Sequence, residues 1–169
     1  MKIINSSRKR QSHLLTPFYI LLFILFTTTL NLQAQWAYVG SADISVGEAN
    51  YTSIAIDNSG TPYLAYVDNS VYPEKVTVKK FNGTTWEDFH SDEIMEESIS
   101  EVKLAIDGST PYIAYDYLDN GSRKGSVMKY DGGSWEMVGT GPFSTTSVQD
   151  ISLFIYGGTP YVAYGDSDN

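Results

Sequence analysis

TPYLAYVD, residues Thr61 to Asp68, recurs as TPYIAYDY from Thr110 and as TPYVAYGD from Thr159. Successive copies begin 49 residues apart. Tryptophans keep nearly the same spacing, with intervals of 50 and 49 residues: Trp36, Trp86 and Trp135. Self-similarity at a fixed period of this length is typical of an array of one supersecondary unit. The sequence therefore predicts a repeat protein.

Each period contains four short segments with the pattern of β-strands. The first is Ile54–Ile56, the second is the Thr-Pro-Tyr phrase, the third is Lys75–Phe81, and the fourth carries Trp86. Turn residues separate them, such as the pair Asp107-Gly108, because tight hairpin turns need central residues with positive φ. Closely spaced strands and turns without a helical stretch predict an all-β protein.

The apolar character falls along each period. The first two segments are apolar on both alternating faces, whereas the third and fourth carry charges such as Lys79 and Glu87. A strand buried on both faces has a continuous apolar sequence. A four-stranded antiparallel sheet with a buried inner edge and a wetter outer edge is typical of a β-propeller blade. We therefore predict an incomplete array of about 2.5 to 3 blades, with repeat units at residues 36–85, 86–134 and 135–169.

The segment Trp36–Gly40 resembles the fourth strand of a period but precedes any first strand. In closed propellers a strand displaced in this way completes the last blade, which is the role predicted here; the alternative is an unclosed edge. Closed propellers have about four to eight blades. The chain is therefore expected to be a fragment whose partners are the remaining blades, with assembly of several copies as the alternative.

Residues 1–34 have the pattern of a secretory signal. A positively charged start precedes an apolar run from Leu14 to Leu30 and a small-residue ending at Ala34. Cleavage there predicts a mature chain, residues 35–169, that is secreted or held at the cell surface and has no membrane segment. The alternative is an uncleaved anchor, since the apolar run is near the minimum length for a membrane span.

The composition beyond Ala34 excludes several classes of function. Seven basic and 20 acidic residues remain, a net charge of −13. Nucleic-acid binding is excluded as a function because it needs clustered cations to neutralise phosphates. The chain has no cysteine, which removes thiol nucleophiles and disulfide scaffolds. His90 is the only remaining histidine and is interpreted as a loop residue, so triad chemistry is not expected.

The phrases GTPYLAYVD, VTVKKFNGTTW and VMKYDGGSW resemble the repeats of secreted bacterial β-propeller proteins, broadly of the kelch-like or sialidase-like kind. The leader ending in Ala34-Gln35 resembles those of exported Bacteroidota proteins. Two departures stand out. Phe81 and Tyr130 occupy the positions where a sialidase Asp-box has its aspartate, and the paired glycines of kelch repeats are absent.

The recurring aromatic residues are the candidate ligand-binding residues. They occupy equivalent positions in successive periods: Tyr66, Tyr115, Tyr164, Trp86 and Trp135. Aromatic rings repeated around a propeller are suited to stacking on several sugars at once. The alternative is that they pack neighbouring blades together, because they lie within strands instead of the loops where sites concentrate.

Carboxylates are the candidate metal ligands. Asp166 and Asp168, in the sequence GDSDN, are a candidate Ca²⁺ pair, and no other cofactor is expected. Seven acids lie between Glu87 and Glu101, but their spacing fits no EF-hand loop, which favours a solvated loop.

These patterns predict a binding or interaction module without catalytic machinery of its own, with a glycan or a protein as its ligand. One alternative is a carbohydrate-active enzyme that uses two carboxylates on a propeller scaffold. The other is a purely structural surface repeat.

Overall fold

The computed structural model describes residues 35–90, 94–96 and 98–167. The predicted secretory signal lies outside these residues. The chain divides into Met1–Ala37 and Tyr38–Asn169, and every described strand belongs to the second part. The prediction of an all-β protein is confirmed, since the described residues form strands and contain no helix. None of these residues belongs to an apolar helix of membrane-spanning length.

The first sheet, called sheet 1, is antiparallel and has the strand order β1-β2-β3-β4, with β5 also paired to β3. Its strands are β1 Ala49–Ile56, β2 Pro62–Asp68, β3 Glu74–Phe81, β4 Trp86–Asp88 and β5 Met95–Glu96. The four predicted segments of the first period therefore correspond to the first four strands of sheet 1, in the predicted order.

The second sheet, called sheet 2, repeats this arrangement with the order β6-β7-β8-β9. Its strands are β6 Val102–Asp107, β7 Thr110–Asp119, β8 Ser122–Tyr130 and β9 Trp135–Met137. A third Thr-Pro-Tyr copy forms the antiparallel pair β10 Val148–Tyr156 and β11 Thr159–Asp166, called the C-terminal hairpin. The first strands of the three elements are neighbours, with β6 beside both β1 and β10.

The turn before each tryptophan is fixed by one side chain. The Asn82 Oδ1 atom accepts hydrogen bonds from the Thr84 and Thr85 N–H groups at 2.9 and 2.8 Å. The Asp131 Oδ1 atom accepts two from Gly133 and Ser134, both at 2.9 Å. Capping by Asn or Asp closes a short loop because the side chain replaces a backbone acceptor.

The recurring tryptophans pack beside an aromatic residue on the adjacent strand. Trp86 lies opposite Phe81 with ring centroids 5.4 Å apart, and Trp135 lies opposite Tyr130 at 5.8 Å. Cross-strand aromatic pairs of this kind stabilise a sheet. The spacing of Trp86 and Trp135 therefore reflects the pairing of each short fourth strand with the third, whereas Trp36 lies in no strand and is exposed.

Residues 35–48 contain no strand, in contrast to the prediction for Trp36–Gly40. The Val39 carbonyl instead accepts a hydrogen bond from the Trp86 Nε1 atom at 2.7 Å. Gly40 has φ 76° and lies against the Phe81 and Trp86 rings. Val39 and Gly40 are thus held by side-chain contacts at the end of sheet 1. The left-handed glycine interrupts the extended backbone that a strand needs.

Two apolar clusters hold the sheets together. The first joins sheet 1 to the facing side of sheet 2 and includes Tyr63, Ala65, Leu104 and Tyr115. The second joins the other side of sheet 2 to the C-terminal hairpin and includes Tyr112, Ala114 and Ile155. Sheet 2 is therefore covered on both faces, as the continuous apolar sequence of β7 predicts.

Candidate functional site

The predicted aromatic ligand residues do not share one surface. Tyr66, Tyr115 and Trp135 are buried, Trp86 is half-buried, and Tyr164 is exposed. Burial raises the pKa of the Tyr66 phenol, and it raises the pKa of the Tyr115 phenol well above its ordinary value. Tyr115 and Trp135 belong to the apolar cluster between sheets 1 and 2, where their rings pack with other side chains. This placement favours the packing interpretation of the aromatic repeat.

Of the two predicted Ca²⁺ ligands, Asp166 lies within the described residues. Asp166 lies at the end of β11 opposite Val148, whereas Asp168 lies outside the described residues. Across residues 35–90, 94–96 and 98–167, no group of three or more His or acidic side chains is close enough to hold a metal ion.

The acidic segment Glu87–Glu101 is only partly described, and its described members make separate contacts. Asp88 pairs with Lys79, with Oδ1 and Nζ 2.7 Å apart. Burial raises the pKa of the Glu96 carboxyl, and the nearby Asp119 carboxylate adds to the shift. His90 stacks on the Tyr130 ring with centroids 4.8 Å apart. Since each has its own local partner or environment, these side chains do not converge on one centre.

A polar cleft of about 520 Å³ lies where the first strands of the three elements begin. We call it the strand-start cleft. It is lined by residues from sheet 1, sheet 2 and the C-terminal hairpin: Tyr51, Thr52, Ser100, Glu101, Val102, Lys103, Arg123, Ser147, Val148, Gln149, Asp150 and Ser167. Because all three elements contribute side chains, the packing of the sheets itself creates this site.

Two of its lining residues stand on β-bulges. Tyr51 has φ 53° and Asp150 has φ 54°, and the strand pairing shifts register at both positions. A side chain other than glycine in this left-handed region is uncommon, and such strained backbone concentrates at functional sites. Tyr51 and Asp150 occupy equivalent positions in the first and third periods. The two bulges thus contribute an aromatic ring and a carboxylate to the cleft.

Glu101 occupies the equivalent position in the second period and is held in place by both oxygens. Its Oε1 atom pairs with the Lys103 Nζ atom at 2.9 Å. Its Oε2 atom accepts a hydrogen bond from the Ile151 N–H at 2.7 Å, which ties sheet 2 to the hairpin. The carboxylate therefore fixes one wall of the cleft.

A buried carboxylate fixes the adjacent wall. Asp116 accepts a hydrogen bond from the Arg123 Nη1 atom at 2.8 Å, and its side chain is 3% exposed. It also accepts hydrogen bonds from the Ser100 N–H and hydroxyl at 2.8 and 2.6 Å. The Arg123 Nη1 atom donates in addition to the Ser98 carbonyl at 2.8 Å. Since a buried charge needs such partners, this network holds the guanidinium in one orientation.

A second groove, of about 400 Å³, lies at the opposite ends of sheets 1 and 2. It contains aromatic rings and one cation: Tyr63, Phe89, Tyr130 and Lys80. The Lys80 Nζ atom lies 5.1 Å from the centroid of the Tyr63 ring. The Tyr63 hydroxyl raises the pKa of Lys80. The Lys80 ammonium group is thus already in contact with the aromatic walls of the groove.

Sequence reasoning missed the strand-start cleft. Its bulges carry no turn dipeptide, and tyrosine is not a residue type that favours positive φ. The available signal was the variation among equivalent positions: Tyr51, Glu101 and Asp150 differ although the strands around them repeat.

No protein-family model and no curated protein matches this chain.

Proposed function

We propose that the chain is an exported β-propeller-type module that binds a neutral glycan in the strand-start cleft and has no catalytic machinery of its own. The propeller part of the proposal is supported by the repetition of four-stranded antiparallel order and by the contact of β6 with both β1 and β10. Propeller blades pack face to face with their first strands innermost.

The observation that carries the binding proposal is the composition of the cleft. Tyr51 is half-exposed and provides an aromatic face, while Thr52, Gln149 and Asp150 provide exposed polar groups. Sites that recognise a small ligand combine apolar contact with a few convergent polar groups. A sugar has an apolar ring face and a rim of hydroxyls, so its chemistry matches this combination.

The charges of the cleft favour a neutral ligand over an anion. Lys103 is paired with Glu101, and Arg123 is paired with Asp116. Both cations are therefore already compensated, and Asp150 adds a negative charge at the rim. An anionic ligand would have to compete with these pairs and with a net charge of −13 on the residues beyond Ala34.

One observation favours the carbohydrate-active alternative: two carboxylates, Glu101 and Asp150, line the same cleft. Glycosidases divide acid and base or nucleophile between two such groups. Both oxygens of Glu101 already serve Lys103 and the Ile151 N–H, however. A carboxylate held for structure on both oxygens is poorly placed to deliver a proton to a glycosidic oxygen, so binding is favoured.

A glycan array followed by titration calorimetry on the strongest hit tests the proposal. We expect Tyr51→Ala to weaken binding about tenfold or more, since a stacked ring contributes about 1.4 kcal/mol. Tyr156→Ala is the matched control, because Tyr156 is an exposed tyrosine outside the cleft. Absence of any glycan hit, or equal loss in both variants, would overturn the proposal. Release of shortened glycans in the same incubations would establish the enzymatic alternative instead.

A further inference from the structure

Two exposed apolar faces lie on the outer sides of the array, with sheet 2 between them. The first, called the back face, belongs to sheet 1 and carries Ile54 and Ile56, which are 64% and 63% exposed. The second, called the front face, belongs to the C-terminal hairpin and carries Phe154, Tyr161 and Ala163, all exposed. Large apolar patches on a folded surface mark interaction sites.

The two interfaces inside the chain reveal what covers such faces. Where sheet 1 meets sheet 2, Tyr63 and Ala65 are buried in one cluster with Leu104, and Ile106 packs against that cluster. These four residues define one interface pattern. One side has a tyrosine and an alanine two residues apart on the second strand of a sheet, and the other side has two aliphatic residues on the first strand of the next sheet.

The interface between sheet 2 and the hairpin repeats this pattern. Tyr112 and Ala114 are buried in one cluster with Ile155, and Leu153 packs against it. Equivalent residues of successive repeats therefore form the same two sides of both interfaces.

The free faces are the two unmatched halves of this pattern. Tyr161 and Ala163 occupy the positions of Tyr63 and Ala65, whereas Ile54 and Ile56 occupy those of Leu104 and Ile106. The front face thus has the chemistry that receives a first strand, and the back face has the chemistry of a first strand that docks.

A hydrogen bond between a serine hydroxyl and a backbone N–H also joins sheet 1 to sheet 2. The Ser53 hydroxyl of sheet 1 accepts a hydrogen bond from the Leu104 N–H of sheet 2 at 3.0 Å. The C-terminal hairpin again has a serine at this position, Ser152, which is exposed. Ser152 thus occupies the position of the acceptor Ser53, and Ile54 occupies the position of the donor Leu104.

We infer that the front face binds the back face of a second copy of this chain, head to tail. Within one copy the two faces are separated by sheet 2, whereas a second copy presents the complementary half to each of them. One position departs from the pattern, since Phe154 stands where Ala55 and Ala105 stand, and it adds a larger side chain to the interface. Head-to-tail contacts of this type form rings or open chains according to their rotation. The inference rests on the repeat interfaces and is independent of the proposed glycan site.

Sedimentation velocity over a range of concentrations tests this inference. The unmodified chain is expected to self-associate. Ile56→Lys, which blocks the back face, and Ala163→Lys, which blocks the front face, are each expected to abolish association. Both residues are exposed, so circular dichroism should show the sheets intact in each variant. Val46→Lys is the matched control, because Val46 is fully exposed outside both faces, and it should associate like the unmodified chain.

Mixing the two blocked variants provides the decisive measurement. The Ala163→Lys chain keeps an intact back face and the Ile56→Lys chain keeps an intact front face, so the mixture should form a one-to-one dimer and nothing larger. Phe154→Ser serves as a second front-face variant if Ala163→Lys does not fold. A monomeric unmodified chain at high micromolar concentration, or a mixture that stays monomeric, would overturn the inference. Neither result would bear on glycan binding, which the array and calorimetry measure separately.

Discussion

Sheet 2 and the C-terminal hairpin carry the same Thr-Pro-Tyr phrase in opposite environments. Tyr112 of sheet 2 is 5% exposed, whereas the equivalent Tyr161 of the hairpin is 55% exposed. The local backbone is the same antiparallel pair in both, with Ala105 opposite Tyr112 and Phe154 opposite Tyr161. The difference arises from the neighbour that covers one face. The motif therefore specifies a strand with two apolar faces, and the next element in the array decides whether both are buried.

The largest expected effect contrasts equivalent tyrosines on the other face of the same two strands. Tyr115→Ala in sheet 2 should lower the free energy of unfolding by about 3 to 5 kcal/mol, because it leaves a cavity in a packed cluster. Tyr164→Ala, at the equivalent position of the hairpin, should cost about 1 kcal/mol or less, since its ring is 40% exposed. Urea unfolding measures both. Equal losses would contradict the contrast, because they would mean that the hairpin ring contributes as much to stability as the fully packed ring of sheet 2.

The strands of both environments were predictable from sequence because their determinants are local. The phrase TPYLAYVD directly follows its turn residues, Asp57 to Gly60, and has its own apolar pattern, and its copies reinforce one another. The environment was not predictable, because the exposure of Tyr164 and the burial of Tyr115 depend on residues far away in the chain. Repetition predicts the aromatic ligand residues, yet repetition among buried residues such as Trp135 follows from packing alone.

The strand-start cleft escaped prediction for a related reason. Tyr51 and Asp150 line it because the strands bulge, and a bulge depends on how two strands pair across the sheet. Asp116 and Arg123 are close because β7 and β8 form a hairpin, but the buried ion pair between them needs the loop at Ser98 to cover it. These geometries come from the tertiary arrangement and leave little trace in a single sequence.

An effect of intermediate size is expected from Glu101 and Asp150, equivalent residues near the starts of the first strands of sheet 2 and of the C-terminal hairpin. Glu101→Gly should lower the free energy of unfolding by about 1 to 3 kcal/mol, because it removes the acceptor of the Ile151 N–H and the partner of Lys103. Asp150→Gly, at the equivalent position, should change it by about 0.5 kcal/mol or less. There glycine relieves the left-handed backbone, and this gain offsets its greater freedom in the unfolded chain.

Thermal or urea unfolding of the two glycine variants checks this contrast. Glu101→Gln serves as an intermediate control, since it keeps an acceptor for the Ile151 N–H while losing the charge opposite Lys103. Glu101→Gln should therefore be more stable than Glu101→Gly. If Asp150→Gly is instead the least stable of the three variants, the hairpin bulge carries an essential contact.

The smallest effect concerns the turns that precede the Thr-Pro-Tyr strands. In sheet 1 the Ser59 hydroxyl and the Thr61 N–H donate to the Asp57 carboxylate at 2.6 and 2.9 Å, and these hydrogen bonds lower the pKa of Asp57. The hairpin has Tyr156 at this position and no carboxylate to titrate there.

A carboxyl group with a lower pKa in the folded state stabilises the fold above its ordinary pKa, 3.8 for Asp57. That contribution is lost as the pH falls through the folded-state pKa. Asp57→Asn should therefore be less stable than the unmodified chain near neutral pH and should lose less stability on acidification. Urea unfolding from neutral to acidic pH measures the difference, with the exposed Asp43→Asn as control. If the two chains differ by the same amount at every pH, the turn is stabilised by its shape and not by the charge of Asp57.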